Sequence, residues 1–321
     1  MFAAGFTQTG AADVVEAIEL PTPRPGPGEV LIRVAAATVN PADIMVRKGS
    51  ISYVTAPLPH VPGLECAGTV AEVGANSRWQ VGQRVAAVTS FIPDGIGAHA
   101  EYVVVPDAGV AEIPDGLYLV AAATIPMSGL TAQLAIDRCA VAGARSIAVT
   151  GAGGAVGGFC LELAREAGLE TVAVVRASYA ERVTAMGAAQ VIDAGGDWSA
   201  AIREIYPHGV DAVIDCALLN EACVPAIRDG GLLVTVRGFA GTIERSITAE
   251  PISVRDYAVE GAKLERLLAL AGSGRLSTFI DRTLPFTQAA DAHRLVEAGG
   301  MGGRVVLTFE PENAHGDAGR T

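Results

Sequence analysis

The sequence predicts an α/β fold in which a doubly wound parallel sheet accompanies a second, β-rich domain. The chain has 321 residues, half of them hydrophobic, which is enough for two domains with sizeable cores. Its first third carries short strand patterns separated by Gly and Pro. From about residue 146 onward strands and helices alternate, which is typical of a parallel sheet covered by helices on both faces.

The elements follow from these patterns in chain order. Strands of the β-rich segment are predicted at 30–36, 68–73, 84–88 and 100–105, followed by a helical segment at 119–139. Strands of the wound sheet are predicted at 146–150, 171–175, 190–193, 210–215 and 231–236, with helices at 156–167, 180–187, 199–205 and about 259–271. A closing strand at 303–309 has no place in the wound sheet, so we expect it to return to the N-terminal domain. The polar tail at 311–321 is predicted to be disordered.

Composition excludes several classes of function. The formal net charge of −12 argues against binding to nucleic acid. No apolar run approaches the roughly 20 residues that span a bilayer, and the N-terminus has no signal-peptide pattern. The five cysteines are scattered through apolar contexts, which predicts reduced thiols in a cytoplasmic protein.

A glycine turn connects the first strand of the wound sheet to the next helix. Its spacing is Gly151-x-x-Gly154-x-x-Gly157. Bare glycines let the backbone approach a pyrophosphate, and the start of the helix, at Ala155 and Val156, offers free N–H groups. The pattern predicts a dinucleotide site bordered by these five residues; the alternative is an ordinary glycine-rich turn between a strand and a helix.

The residues after the second wound strand indicate which dinucleotide binds. An acid at this place would bind the 2′-hydroxyl of NAD. Here the strand is followed by Arg176, Ala177, Ser178 and Tyr179, and the first acid is Glu181. A guanidinium and a hydroxyl satisfy a 2′-phosphate, so NADPH is predicted, with Arg176 and Ser178 as its contacts. Alternatively, Arg176 is a solvated loop cation and Ser178 binds the phosphate without it.

Several further stretches stand in a characteristic order and spacing: VNPADIMVRKG at 39–49, PGLECAGTVAEVG at 62–74, VGQRVAAV at 81–88, GAHAEYVVVP at 97–106, AATIPMSGLTA at 122–132, the glycine turn, and QAADAHRLVEAGGMGGRVVL at 288–307. Together they resemble the medium-chain dehydrogenase/reductase superfamily, and within it the zinc-free quinone oxidoreductase branch that also holds enoyl reductases.

The resemblance implies a split chain. A GroES-like catalytic domain at 1–118 and 259–310 would enclose an NADPH-binding Rossmann domain at 119–258, leaving the tail at 311–321. It also implies a homodimer and a reaction in the cleft between the two domains.

The metal positions of the family depart from a zinc site. Zinc members carry Cys, His and a second Cys or acid where the aligned motifs place Asn40, Leu64 and Met127. Leu and Met cannot replace those ligands, so no metal is predicted. The neighbours His60, Glu65 and Cys66 are interpreted as a loop cap, an internal hydrogen-bond partner and a small apolar residue.

Without a metal, the chemistry suits a substrate that is already electrophilic. NADPH would reduce a quinone or the β-carbon of an α,β-unsaturated carbonyl. Asn40 is predicted beside the nicotinamide ribose or the substrate carbonyl; otherwise it is a turn former before Pro41. Tyr53 is a candidate proton donor; otherwise it is a pocket-wall or surface residue. Asp43 is expected to hold its own loop, through Arg47.

Four further residues complete the candidate cofactor site. Thr131 is predicted to bind nicotinamide or phosphate, and the backbone of Gly238 and Phe239 to line the nicotinamide. Arg304 is a candidate phosphate or ribose contact, with a solvated cation as the alternative. An apolar lid over the cleft is predicted from Phe91, Ile92 and Ile96.

Two other functions stay open. One is an enoyl-thioester reductase of fatty-acid or polyketide synthesis, which would need a basic patch for its carrier or CoA. The other is a non-catalytic module that senses NADPH. The leading prediction remains a reductase of small-molecule quinones or enones, with no nucleic-acid or membrane partner.

Overall fold

The chain divides into two compact units in a computed structural model that describes residues 1–50, 54–89, 95–239 and 241–309. Unit 1 comprises Met1–Met127, Ala258–Ser273 and Thr278–Thr321. Unit 2 comprises Ser128–Tyr257 and Gly274–Ser277. Unit 1 is therefore built from separate pieces of the chain, while nearly all of unit 2 is contiguous.

The strands and helices of the described residues are named in chain order. The strands are β1 (Phe2–Gly5), β2 (Glu16–Glu19), β3 (Glu29–Val39), β4 (Glu65–Val73), β5 (Arg84–Val88), β6 (Tyr102–Pro106), β7 (Val110–Glu112), β8 (Ser146–Thr150), β9 (Glu170–Val175), β10 (Gln190–Asp193), β11 (Val210–Asp215), β12 (Ile227–Thr235), β13 (Thr248–Pro251), β14 (Ile280–Pro285) and β15 (Arg304–Thr308). The helices are α1 (Pro41–Arg47), α2 (Leu119–Ala122), α3 (Pro126–Val141), α4 (Ala155–Glu166), α5 (Ala180–Ala185), α6 (Trp198–Ile205), α7 (Gly261–Gly272) and α8 (Ala289–Ala298).

Unit 2 contains the predicted doubly wound sheet. Its six strands are parallel and lie in the order β10-β9-β8-β11-β12-β13. In sequence order this is 3-2-1-4-5-6, the order of a Rossmann sheet. The central strands β8 and β11 are buried along nearly their whole length, as is typical of a parallel sheet that helices cover on both faces. The predicted α/β fold class is confirmed.

Unit 1 is built around a mostly antiparallel sheet, in which β14 and β15 pair in parallel. Its path runs β14-β15-β3-β4-β5-β7, and β6 also pairs with β3. The closing strand β15 pairs antiparallel with β3, joining Val305 to Val39 and Thr308 to Ala36. The predicted return of the chain to the N-terminal domain is confirmed. The separate hairpin of β1 and β2 completes the strands of this unit.

Two local features differ from the predicted elements. The helical segment predicted at 119–139 is two helices, α2 and α3. Because α2 packs against β3 and β4, the residues up to Met127 lie in unit 1, beyond the predicted boundary at 118.

The predicted disorder of 311–321 concerns residues outside the described part of the chain. Within that part, no helix has both the length and the apolar character that crossing a membrane requires.

Candidate functional site

The glycine turn between β8 and α4 is shaped by positions that only glycine fits. Gly151 has φ +60°, and a Cβ there would lie 3.2 Å from the backbone N of Ala217. A Cβ on Gly157 would lie 2.6 Å from the carbonyl oxygen of Gly151 and from Cα of Ala152. The first turn of α4 therefore packs directly on the backbone of the turn, which is the close approach a pyrophosphate site needs.

The start of α4 faces outward. Gly154 is its N-cap, is exposed, and has no side chain with which to cap the first turn. Ala155 and Val156 follow as half-buried residues. A helix N-terminus with a bare glycine cap presents backbone N–H groups and the positive end of the helix dipole, both of which favour an anion. The turn fits the phosphates of a dinucleotide.

Strand order reverses between β8 and β11, where ligands of such sheets bind. The two strands end at Thr150 and Asp215. The Thr150 hydroxyl donates to Oδ1 of Asp215 at 2.6 Å, and Oδ2 of Asp215 accepts from the backbone N of Asn220 at 2.8 Å. This buried pair fixes the backbone beside Gly151. Sequence reasoning missed it, although an Asp that ends the apolar strand VDAVID is a visible signal.

The residues after β9 form a polar group at the edge of the glycine turn. Arg176 and Ser178 are exposed. The guanidinium carbon of Arg176 lies 5.3 Å from the centre of the Tyr179 ring, and its Nη2 lies 3.5 Å from the Tyr179 hydroxyl. The same ring covers Gly153, where a Cβ would meet Cγ of Tyr179 at 2.8 Å. Tyr179 thus connects Arg176 to the turn, a role that sequence reasoning did not assign.

The remaining predicted cofactor residues of unit 2 lie on two further elements. Thr131 is half-buried on α3. Gly238 and Phe239 follow the end of β12 at Thr235, and Phe239 packs against the apolar core that contains Leu233. Their contacts with a nicotinamide stay a prediction.

In unit 1, Asn40 and Arg304 meet in a buried polar cluster. The Arg304 Nη2 donates to Oδ1 of Asn40 at 2.7 Å and also contacts Glu65 and the Thr38 hydroxyl. The Asn40 Nδ2 donates to Oε1 of Glu65 at 3.1 Å and to Oγ1 of Thr38 at 3.3 Å. Asn40 is 4% exposed, Glu65 0% and Arg304 9%. We call these four residues the Asn40 cluster.

The Asn40 cluster is balanced in charge. The guanidinium of Arg304 and the carboxylate of Glu65 form an ion pair, and burial demands such pairing. The second oxygen of Glu65 accepts from the backbone N of Met127 at 2.7 Å. The interpretation of Glu65 as an internal hydrogen-bond partner is confirmed. Arg304 is a buried partner of Glu65 rather than a solvated cation, and its contact with phosphate or ribose stays a prediction.

The loop around α1 places Asn40 at the start of that helix. Asn40 is the N-cap, and its backbone N donates to Oδ2 of Asp43 at 2.7 Å. Oδ1 of Asp43 accepts from the backbone N of Gly63 at 2.8 Å. Asp43 therefore holds its own loop, as predicted, but through backbone groups. The expected partner Arg47 is instead paired with Glu297, at 2.7 Å.

The positions aligned with zinc ligands do not fit zinc. Leu64 is fully buried in an apolar cluster with Phe6 and Val46, against which Met127 packs. Aliphatic and thioether side chains are unsuitable for this ion. Across the described ranges, no group of three or more His, Cys, Asp or Glu side chains could hold a metal ion.

His60 and Cys66, which lie near these positions in the sequence, have structural roles. Nε2 of His60 lies 2.8 Å from the carbonyl oxygen of Ala56. Cys66 is buried in the core of the sheet, and burial, together with the charge of Glu65, raises the pKa of its thiol to about 12. It is therefore an unreactive packing residue, as interpreted from the sequence.

Three of the predicted residues lie outside the described part of the chain. They are Tyr53, the candidate proton donor, and Phe91 and Ile92 of the predicted lid. The third lid residue, Ile96, packs partly buried against Ala3, Val61 and Ala100.

The Rossmann sheet with its glycine turn and the second, antiparallel sheet define an oxidoreductase with an NAD(P)-binding unit. Family models agree: the alcohol dehydrogenase GroES-like domain matches residues 26–115, and the zinc-binding dehydrogenase model matches residues 186–307. The chain belongs to the medium-chain dehydrogenase/reductase superfamily, as a quinone oxidoreductase-like member. The predicted family is confirmed.

Individual relatives cover nearly the whole chain. A chloroplast envelope quinone oxidoreductase homolog of Arabidopsis thaliana is 27% identical over 93% of this chain and 95% of its own length. An NADPH-dependent alkenal/one oxidoreductase of the same plant is 28% identical over 94% and 78%. A zinc-type alcohol dehydrogenase-like protein of Schizosaccharomyces pombe is 30% identical over 82% and 78%.

Solved structures have the same fold. The quinone oxidoreductase from Coxiella burnetii gives a TM-score of 0.85 at 26% identity, covering 97% of this chain and 99% of that chain. A mycobacterial protein complexed with NADPH gives a TM-score of 0.82 at 26% identity, covering 96% and 100%.

Proposed function

We propose that this protein is an NADPH-dependent reductase of quinones or activated alkenes that works without a metal. The observation that carries the proposal is the occupation of the zinc-ligand positions by Leu64 and Met127, which pack in an apolar cluster. Such a site cannot polarise an alcohol through zinc, so the substrate must bring its own electrophilic carbon or ring. Relatives named as quinone and alkenal/one oxidoreductases support this choice.

NADPH is proposed as the cofactor, and it supplies a hydride from its nicotinamide when bound. Backbone groups of Gly151, Gly154, Ala155, Val156 and Gly157 hold the pyrophosphate. The residues after β9 discriminate between NADPH and NADH at the adenosine end of the cofactor. Arg176 and Tyr179 present a guanidinium and a phenol 3.5 Å apart, and the exposed Ser178 hydroxyl lies between them in sequence. A 2′-phosphate accepts from all three groups, whereas a 2′-hydroxyl gains little from them.

The hydrogen bonds of Asn40 hold its amide in one orientation. Its Nδ2 donates to Glu65 and Thr38, and its Oδ1 accepts from Arg304. As the N-cap of a capping box, the side chain also accepts from the backbone N of Asp43. We place this fixed amide beside the nicotinamide ribose or the substrate carbonyl, with Glu65 and Arg304 as positioning residues.

The rest of the proposal follows the sequence predictions. Thr131, Gly238 and Phe239 line the nicotinamide, and Tyr53 donates the proton. Unit 1 carries the catalytic residues and Arg304, and unit 2 carries the other cofactor residues. The protein is a homodimer of the cytoplasm.

The test is to follow NADPH absorbance with three acceptors in turn: 1,4-benzoquinone, an alkyl enone and crotonyl-CoA. We expect rapid oxidation with the quinone or the enone, and an unchanged rate after treatment with a chelator. A strong preference for crotonyl-CoA would instead identify a thioester reductase. Tight NADPH binding without turnover of any acceptor would identify a sensor, and loss of activity with the chelator would refute the metal-free site.

A further inference from the structure

A second buried polar group in unit 1 lies apart from the Asn40 cluster. The side chains of Arg47, His99 and His293 are fully buried. Among the described residues, Nη1 of Arg47, Nδ1 of His99 and both ring nitrogens of His293 have no hydrogen-bond partner. The two imidazole rings meet edge to face, with centroids 5.8 Å apart. Buried polar atoms left unpaired destabilise the fold, so four of them on neighbouring side chains call for a partner.

The bonds already made determine which of these atoms donate and which accept. Nε of Arg47 donates to the Gly10 carbonyl and Nη2 donates to Glu297, so Nη1 is left as a donor. Nε2 of His99 lies 3.0 Å from the Thr38 carbonyl oxygen. A carbonyl only accepts, so Nε2 of His99 carries a hydrogen.

His293 contributes one donor and one acceptor. Burial has the largest effect on the pKa of His293, and the nearby His99 and Arg47 lower it further, to about 3. The negative charge of Glu297 acts in the opposite direction but is too weak to cancel these effects. The imidazole is therefore neutral at pH 7. One of its ring nitrogens carries a hydrogen and the other accepts.

The four unpaired atoms are thus a mixture of donors and acceptors. An anion would suit only the donors, and a cation would be repelled by Arg47. Water both donates and accepts, and buried waters typically make about three hydrogen bonds. We propose that Arg47, His99 and His293 form a binding site for internal water that bridges the Arg47 guanidinium to the two imidazoles.

This water site would support the segment that carries Asn40. Arg47 is the last residue of α1, and Asn40 is its N-cap. His99 holds the backbone carbonyl of Thr38, whose hydroxyl belongs to the Asn40 cluster. His293 comes from α8, which packs against α1. Water bound by these side chains would connect α1 and β3 to α8 through hydrogen bonds.

A crystal structure at neutral pH, with ordered solvent and a bromide soak, tests the site. We expect solvent density without anomalous signal within hydrogen-bond distance of Nη1 of Arg47 and a ring nitrogen of His99 or His293. An anomalous bromide peak there would make it an anion site and overturn the proposal. An empty space, or direct contact between the side chains, would overturn it as well.

Oxygen-17 relaxation dispersion in solution gives an independent count of long-lived internal waters. The His293→Phe variant should hold at least one fewer than the wild type. His60→Phe is the matched control, because the ring of His60 is already bonded to the Ala56 carbonyl, and its count should not change. An equal count in wild type and folded His293→Phe would refute the site. If that variant does not fold, the wild-type crystal decides.

Discussion

Arg176 is the residue whose chemistry most directly separates the two pyridine cofactors. Its guanidinium is exposed beside Tyr179, and Tyr179 lies on Gly153 of the glycine turn. Arg176→Ala should raise the Kd for NADPH by about 10- to 100-fold, since a charged hydrogen bond contributes about 1.5–3 kcal/mol. The Kd for NADH should change little. Fluorescence titration with both cofactors measures the ratio.

The control for this experiment is Arg24→Ala, which removes another exposed arginine, from unit 1. It should leave both dissociation constants unchanged. Tyr179→Phe keeps the ring over Gly153 and removes only the hydroxyl, so it should weaken NADPH binding less than Arg176→Ala. An equal loss of NADPH and NADH affinity in Arg176→Ala would contradict the assignment.

At the residue scale, sequence reasoning identified side chains better than it identified their partners. Glu65 was interpreted as an internal partner, and the structure confirms it. Arg304 was singled out, but its bond to Asn40 joins residues 264 positions apart. Pairing over such a separation depends on β15 lying beside β3, which no local pattern contains. Tyr179 was read only as a neighbour of Arg176, because its contact with Gly153 is tertiary.

At the scale of elements, the glycine turn and α4 behave as one packed unit. Gly157→Ala would improve helix propensity by about 1 kcal/mol if the helix were isolated. In the structure the added Cβ would lie 2.6 Å from backbone atoms of Gly151 and Ala152, which cannot move as a flexible side chain does. We therefore expect the opposite sign: a loss of about 1–3 kcal/mol in the free energy of unfolding, with weaker NADPH binding.

Urea unfolding and NADPH titration of Gly157→Ala test this sign. Gly196→Ala is the control, because a Cβ there would meet nothing within 4 Å and the residue is exposed. The control should leave cofactor binding unchanged. A Gly157→Ala variant as stable as the wild type would contradict the prediction, because it would mean that α4 can shift away from the turn without loss of stability.

Elements with strong patterns were predicted well, and elements stabilised by context were not. The predicted bounds of β8, β10 and β11 are those observed. For β8 and β11 the reason is that buried strands between turn residues carry a clear pattern. The edge strand β13, with sequence TAEP, has no apolar alternation and depends on pairing with β12. The short helix α1 was also missed, although Asn40 at the N-cap and Pro41 at the first position are a starting signal.

For the whole molecule, His293 makes folding sensitive to acid. Its pKa is about 3 in the folded state, against about 6.5 in an unfolded chain. Between these values the unfolded state binds more protons, so stability falls as pH drops from about 6.5 toward 3. His293 faces His99, Arg47 and Glu297, and the positive charge of Arg47 opposes its protonation. The expected slope is about 1.4 kcal/mol per pH unit once pH is well below 6.5.

Urea unfolding of wild type and His293→Gln across pH 7 to 5 measures this slope. Arg47 and Lys48 lower the pKa of Glu297 to about 2 in the folded state. The stability that this shift contributes is present above the pKa of Glu297 in the unfolded chain and is lost as pH falls toward 2, which is below this pH range. The variant should lack the extra slope, and the His60→Gln control should retain it. Parallel curves for wild type and His293→Gln would contradict the prediction.

The place of β15 between β14 and β3 has a consequence for biosynthesis. A ribosome that has added Tyr257 has delivered all but four residues of unit 2, Gly274–Ser277. The N-terminal strands have by then long left the exit tunnel, with residues 36–39 of β3 still lacking their partner strand β15. An unpaired strand edge can hydrogen-bond to another chain. In the nascent chain this part of β3 is therefore open to wrong pairing until the final strand emerges.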